Sequence, residues 1–217
     1  MGDGSNIARS TPVLIQENVF RHLFGDAHSV LRYDGALLTW GSGSPFLGEL
    51  GRSPVGAFYC PTPTVVLDDA VAFTAGVNSR VVLRRDGTVW TWGFGQLGQL
   101  GSGGAYAYRD GYSLARMTPM TVFENATQIG WWGWRPMALH SDGSLWAWGS
   151  HTDADNNEIF QADVPTMIVR NFVEPTGRPR TFIADDGTEF TFHGWAPQIP
   201  LSPFQTTPPT HDLHHTP

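Results

Sequence analysis

The sequence predicts an all-β chain of repeated antiparallel units, and three observations carry that expectation. Asp-Gly recurs at Asp34-Gly35, Asp86-Gly87, Asp142-Gly143 and Asp186-Gly187, at intervals of 52, 56 and 44 residues. The flanks align as "SVLRYDGALLTWG", "RVVLRRDGTVWTWG", "PMALHSDGSLWAWG" and "TFIADDGTEFTFHG", so that the sixth residue after each Asp is Trp40, Trp92, Trp148 or Phe192. The composition fits a turn-rich fold: 25 Gly and 16 Pro in 217 residues, with only 15% charged residues against roughly 25% in an average protein.

Each unit reads as a hairpin with two further strands. Asp-Gly is favoured in a two-residue type I′ turn, where both central residues take positive φ. The flanks are short and rich in Val, Leu, Trp and Thr, as strands are. Upstream runs add two strands per unit: 13–15 and 19–24 in the first, 64–67 and 70–75 in the second, 120–123 and 127–131 in the third, 166–170 and a piece near Phe172 in the fourth. Pro12, Pro63, Pro119 and Pro165 stand at the openings of the units, where a proline loses no ladder bond. Four strands per unit and a period near 50 predict a propeller-like array of about four blades, as a closed small ring or part of a larger one.

The second unit also spells G-x-G-x-x-G, from Gly93 to Gly98. A dinucleotide-binding turn needs a helix after its third glycine. Here Gln99-Leu100-Gly101-Ser102-Gly103-Gly104 follows, and so many glycines do not start a helix. The glycines serve tight turns instead.

"DGTVWTWGFGQLGQLG", residues 86–101, resembles the repeat of the regulator of chromosome condensation family, whose blades carry DG-x-V-W-x-W-G followed by G-Q-L-G. The first unit gives "DGALLTWGSGSPFLGELG", with Glu49 in place of the Gln. The third keeps "DGSLWAWGS" without the second segment, and the fourth keeps Asp186-Gly187 and an aromatic. The resemblance covers roughly residues 12–195. It implies a propeller, usually seven-bladed in the family, and a capacity for protein binding. It also brings small-GTPase nucleotide exchange into view, although no motif here matches that function's residues. Asp34, Gly35, Trp40, Asp86, Gly87, Trp92, Asp142, Gly143, Trp148, Asp186 and Gly187 are expected to be structural, the tryptophans packing between blades. The expected organisation is a polar arm over 1–11, the repeat domain over 12–197 and a Pro- and His-rich extended tail over 198–217.

Other properties narrow the function. A net charge of −7 opposes nucleic-acid binding, which draws on Lys and Arg. Cys60 is alone, so no intrachain disulfide or cysteine zinc site is expected. The N-terminus reads as no signal peptide, Asn6 stands where a myristoylation signal wants Ser or Thr, and no apolar run reaches a membrane span. Those readings suggest a cytoplasmic or virion-associated chain. No G-x-S-x-G, H-E-x-x-H or catalytic-cysteine context occurs, so the chain reads as a non-enzyme without a cofactor.

Two patches stand out as binding candidates. "GWWGWRP" places Trp131, Trp132, Trp134 and Arg135 on one turn, a composition suited to a protein hot spot or a sugar-stacking platform. The excursion 102–118 carries Tyr106, Tyr108, Arg109 and Tyr112. "HTDADNNE", residues 151–158, is dense in oxygen ligands but lacks the glycine and terminal glutamate of a calcium loop, and "HDLHH", residues 211–215, reads as a polar tail. The leading expectation is a non-enzymatic module presenting aromatic loops to a protein partner. The alternatives are an assembly or decoration component of a virion or cell surface that binds copies of itself, a glycan-binding Trp cluster, and a small-GTPase exchange regulator.

Overall fold

The computed structural model describes residues 2–5, 7–23, 25, 27–43, 47–52, 59–76, 78–103, 115–132, 135–152, 158–176, 181–191, 195–196 and 198–199. Among them the regular elements are all strands. β1 (Val19–Leu23), β2 (Ala27–Arg32), β3 (Leu37–Ser42) and β4 (Tyr59–Leu67) form one antiparallel sheet in sequence order. β5 (Ala70–Ala75), β6 (Ser79–Arg84), β7 (Val89–Phe94) and β8 (Ala115–Phe123) form a second. β9 (Ala126–Trp132), β10 (Arg135–His140), β11 (Leu145–Thr152) and β12 (Glu158–Val169) form a third, and β13 (Thr181–Ile183) pairs with β14 (Glu189–Thr191) in a fourth, two-stranded unit. No helix is present among the described residues that is long and apolar enough to cross a membrane.

The Asp-Gly bends occupy equivalent corners, but their geometry differs from the expected type I′ turn. In each, the glycine N–H donates to the carbonyl three residues back, as from Gly87 to Arg84 at 3.0 Å, while Arg84 N–H donates to Thr88 O at 2.9 Å. Positive φ falls on the glycines alone, 89° at Gly35, 83° at Gly87, 87° at Gly143 and 89° at Gly187, and on none of the aspartates. This is a three-residue loop, a type I turn followed by a left-handed glycine bulge. The reason lies in the carboxylates. Asp34, Asp86, Asp142 and Asp186 each accept from the N–H two residues on, at Ala36, Thr88, Ser144 and Thr188. That contact holds the aspartate in its turn conformation without positive φ.

The same hydrogen bonds hold the carboxylates in their charged form. Asp142, bonded by the Ser144 hydroxyl and N–H, falls from 3.8 to about 2. Asp86 and Asp186 shift the same way through Thr88 and Thr188. A depressed folded-state pKa stabilises fully above the unfolded value and is lost as pH falls through the folded one. The Asp142→Asn chain is therefore expected to lose less thermal stability than the wild type between pH 3.8 and about 2. Identical acid limbs in melting curves of the two proteins would contradict this.

Each bend also joins two units. Gly35 O accepts from Ala70 N–H, Gly87 O from Ala126 N–H and Gly143 O from Phe172 N–H, at 2.9, 2.9 and 3.0 Å. A Cβ on Gly87 would lie 3.3 Å from Ala126 O and 3.4 Å from Asn125 Cα, so glycine serves both the φ and the close approach.

The blades divide the chain differently from the expected units. The runs 64–67, 120–123 and 166–170 fall within β4 and β8 and across the end of β12, each the last strand of the preceding blade. Pro63, Pro119 and Pro165 consequently lie inside outer edge strands rather than at unit openings. An edge accommodates them because it has no partner on one side. Residues 13–15 and the piece near Phe172 form no strand, so the fourth unit contributes two strands among the described residues. The tail boundary also moves. Gln198 bridges Ala72, and Ile199 is only 6% exposed in the core beside Phe73 and Trp92.

The middle strands are buried on both sides, since β6 has Val81, Val82 and Leu83 all inaccessible or nearly so. Blades stack face to face, so one face packs with each neighbour, and the middle strands read as apolar runs rather than alternating ones. β5 packs on β9 and β2 on β5. The first strands therefore lie towards the inside of the arc, and the long proline-bearing fourth strands at its outer margin.

Candidate binding face

Strand direction separates the two ends of the blades. One end holds the tight corners, the Asp-Gly bends and the left-handed residues Asn18, Asp69 and Asn125 (φ 57°, 57° and 55°) that open β1, β5 and β9, and it is also where the chain leaves β12 for β13. The other end carries every longer connection within the three blades, between β3 and β4, β7 and β8, and β11 and β12, together with the β1–β2, β5–β6 and β9–β10 hairpins. We call these the turn end and the loop end.

The base of the loop end is locked by the glycine-leucine segments. Thr39 Oγ1 donates to Leu50 O and Thr91 Oγ1 to Leu100 O, both at 2.7 Å. Each segment then engages the next blade, with Trp92 Nε1 donating to Glu49 O and Trp148 Nε1 to Gln99 O, both at 3.1 Å. A Cβ on Gly51 would approach Trp92 Nε1 to 2.6 Å, and one on Gly101 would approach Trp148 Cδ1 to 2.9 Å. At Trp40 the N-terminal arm takes the glycine's place: a Gly2 Cβ would lie 2.7 Å from Trp40 Nε1, and Gly4 N–H donates to Pro61 O at 3.0 Å. The arm expected over 1–11 is thus docked at its start. Trp40 Nε1 is buried and makes no hydrogen bond among the described residues.

The Glu49 substitution has a structural counterpart. Arg80, in the next blade, is 7% exposed and reaches back to Ser29 Oγ and Ala27 O, both at 3.2 Å. Burial pushes its guanidinium below the ordinary range, and the Glu49 charge opposes that shift. At the following junction the segment has neutral Gln99, and the residue aligned with Arg80 is Pro136. The Glu49 and Arg80 positions are thus charged at one junction and their aligned counterparts, Gln99 and Pro136, uncharged at the next.

The expected aromatic patches divide. Trp131 is half-buried and packs against the core, over Gly76, whose Cβ would lie 2.6 Å from its ring. Arg135 is completely buried. Its guanidinium lies 4.5 Å from the Phe160 ring centroid and donates from Nη2 to Phe160 O at 3.4 Å, and burial lowers its pKa. Arg135 therefore ties β10 to β12 and is no surface contact. Trp132 ends β9. Trp134, Tyr106, Tyr108, Arg109 and Tyr112 lie outside the described residues, as do residues 153–157 of the oxygen-rich loop and the histidine tail. The connections carrying both patches leave from the loop end. Among the described residues no three His, Cys, Asp or Glu side chains gather as metal ligands.

Sequence reasoning missed one feature. An open groove of about 520 Å³ at the outer margin between the second and third blades is lined by Thr121, Val122, Phe123, Glu124, Trp146 and Pro165. Phe123 lies 5.3 Å from Trp146 and 5.8 Å from His140, centroid to centroid. Trp146 Nε1 donates to Ser144 Oγ, which donates to Asp142, and Trp90, Thr88 and Asp86 repeat the chain. The signal was present as Trp90 and Trp146, four residues after their aspartates.

Comparison with known proteins agrees with these blades. The family model for the regulator of chromosome condensation (RCC1) repeat matches residues 86–127. Residues 86–127 therefore carry a repeat of that type, within a β-propeller fold. Human RCC1 domain-containing protein 1 is 27% identical over 157 residues, 72% of this chain and 39% of that protein. Mouse E3 ubiquitin-protein ligase HERC2 is 26% identical over 160 residues, 71% of this chain and 3% of that one. The chain thus spans well under half the length of these relatives. Among solved structures, Prp20p from Saccharomyces cerevisiae superposes with a TM-score of 0.54 at 20% identity, covering 69% of this chain and 38% of Prp20p. Human WBSCR16 gives 0.53 at 21%, covering 69% and 37%.

Proposed function

We propose that this chain is a non-enzymatic protein-binding module whose loop end contacts the partner. The observation that carries the reading is the asymmetry of the three four-stranded blades: at the turn end their strands are joined by short hydrogen-bonded corners, and the longer connections within them leave from the other end, over a base locked in the first two blades. Variable loops on a rigid scaffold are where binding residues concentrate. The connections there carry Trp132, Trp134, Tyr106, Tyr108, Arg109 and Tyr112, residue types that dominate protein hot spots. Prp20p, which shares the fold, binds Gsp1p and histones, and Kap60 has been crystallised bound to it. Those contacts support a protein as the partner class here.

Alanine at Trp132, Trp134, Tyr108 and Tyr112 together should abolish co-precipitation of a partner while leaving the circular dichroism spectrum and melting temperature unchanged. Retained co-precipitation would remove these loops from the account. A fluorescent-nucleotide release assay on candidate small GTPases is expected to show no acceleration by this chain, and acceleration would place exchange above simple binding.

A further inference from the structure

The inner edges of the second and third blades are covered, and not by a blade. After β14 the chain returns across the arc as a short strap that seats Trp195, Ala196, Gln198 and Ile199. Trp195 bridges Gly130 and Gln198 bridges Ala72, both in antiparallel sense. Ala196 N–H donates to Ile129 O at 2.8 Å and Ile199 N–H to Val71 O at 2.7 Å. Gln198 Nε2 donates to Thr127 O at 2.6 Å. Ala196, 7% exposed, fills a seat beside Ile129 and Val71, and Ile199, 6% exposed, fills one beside Phe73 and Leu31.

We propose that the inner edges of β5 and β9 form a peptide-binding channel, occupied in cis by Trp195, Ala196, Gln198 and Ile199, that accepts an extended peptide of the pattern small apolar–any residue–polar–branched apolar. Three features of the site support this. β5 and β9 are each fully paired on their other side with β6 and β10, so the channel is built without the strap. Their free edges offer backbone donors and acceptors, which is how an added strand is recognised. The two seats accept side chains three residues apart, Ala196 in the core between the second and third blades and Ile199 in the core between the first and second, which gives the channel a sequence requirement as well as backbone bonding. The strap's sequence, Ala196-Pro197-Gln198-Ile199, is itself an instance of the pattern. The strap competes at the high effective concentration of a tethered ligand, so an outside peptide sees only the fraction of molecules in which it has left. This channel lies along the arc's inner edge and does not depend on the loop end being a partner site.

The test is a titration of a fluorescein-labelled peptide, His-Gly-Trp-Ala-Pro-Gln-Ile-Pro, into the full-length chain, read by anisotropy. The full-length Ile199→Asp chain should bind it at least ~10-fold more tightly than the wild type, because the strap no longer holds its seat. The same peptide with Asp for its Ile should bind neither chain. No gain in binding by a folded Ile199→Asp chain would overturn the proposal, and so would equal binding of the two peptides. If Ile199→Asp loses its β-sheet dichroism, the milder Ile199→Ala chain carries the same comparison. Hydrogen exchange on the wild type gives a second reading. The Ala196 and Ile199 amides should exchange at least ~100-fold faster than those of Val82 and Ala138, through local release of the strap. Exchange of all four in a single global event would make the strap an integral strand and end the proposal.

Discussion

Trp92→Ala lowers the stability of the chain by about 3–5 kcal/mol, and Trp148→Ala does the same. Both indoles are completely buried. Each is packed on a glycine of the preceding blade and donates to a carbonyl there, Glu49 O for Trp92 and Gln99 O for Trp148. Alanine leaves a cavity at the junction of two blades and deprives a buried carbonyl of its donor. Trp146→Ala is the internal control. That indole is half-buried at the outer groove and donates to its neighbour Ser144, so its loss should be clearly smaller. Trp40→Ala should also cost less than Trp92→Ala, because the Trp40 N–H has no acceptor among the described residues to strand. Urea denaturation midpoints of the four variants check the order.

Glu49→Ala should lower stability by about 1–3 kcal/mol, because it removes the negative charge that opposes the burial-driven shift of the Arg80 guanidinium. Arg80 keeps its bonds to Ser29 and Ala27, but those acceptors are neutral, and burial already disfavours its charged form. Removing both charges is a different matter. The Glu49→Gln/Arg80→Leu double variant removes both charges and should recover most of the loss, since well-packed uncharged replacements of buried charges are often neutral. A thermodynamic cycle of the two single variants and the double checks this. Additive losses would show that Glu49 and Arg80 act independently.

The recurring chemistry of this fold was legible in the sequence because it rests on local contacts. Each Asp-Gly bend, the tryptophan after it and the glycine-leucine segment bond within a few residues or to the adjoining unit, so repetition exposed them. The bend type was not legible. Asp-Gly alone permits either a two-residue or a three-residue loop, and the choice rests on the carboxylate bonding two residues ahead. Blade membership was misread because β4, β8 and β12 lie next in sequence to the following unit but pair with the preceding one. The corners Asp69 and Asn125 between blades, like Asn18 ahead of β1, carried a readable signal as left-handed residues before each first strand. At the candidate face, Arg135 looked like a surface cation beside tryptophans. Its burial depends on Phe160, from a strand that no local pattern placed above it. The strap was hidden for a similar reason, since Ala196 and Ile199 are two small or medium apolar residues in a proline-rich stretch, and only the return of the chain gives them seats.

Placement of a photo-reactive benzoylphenylalanine at single positions tests the central claim, that the loop end is where this propeller meets its partner. Leu97 and Asn78 lie at the loop end, and Arg85 and Ser141 at the turn end. Irradiation in cells should give a covalent protein adduct from the first pair and none from the second. An adduct formed from Arg85 or Ser141, with Leu97 and Asn78 silent, would contradict the account.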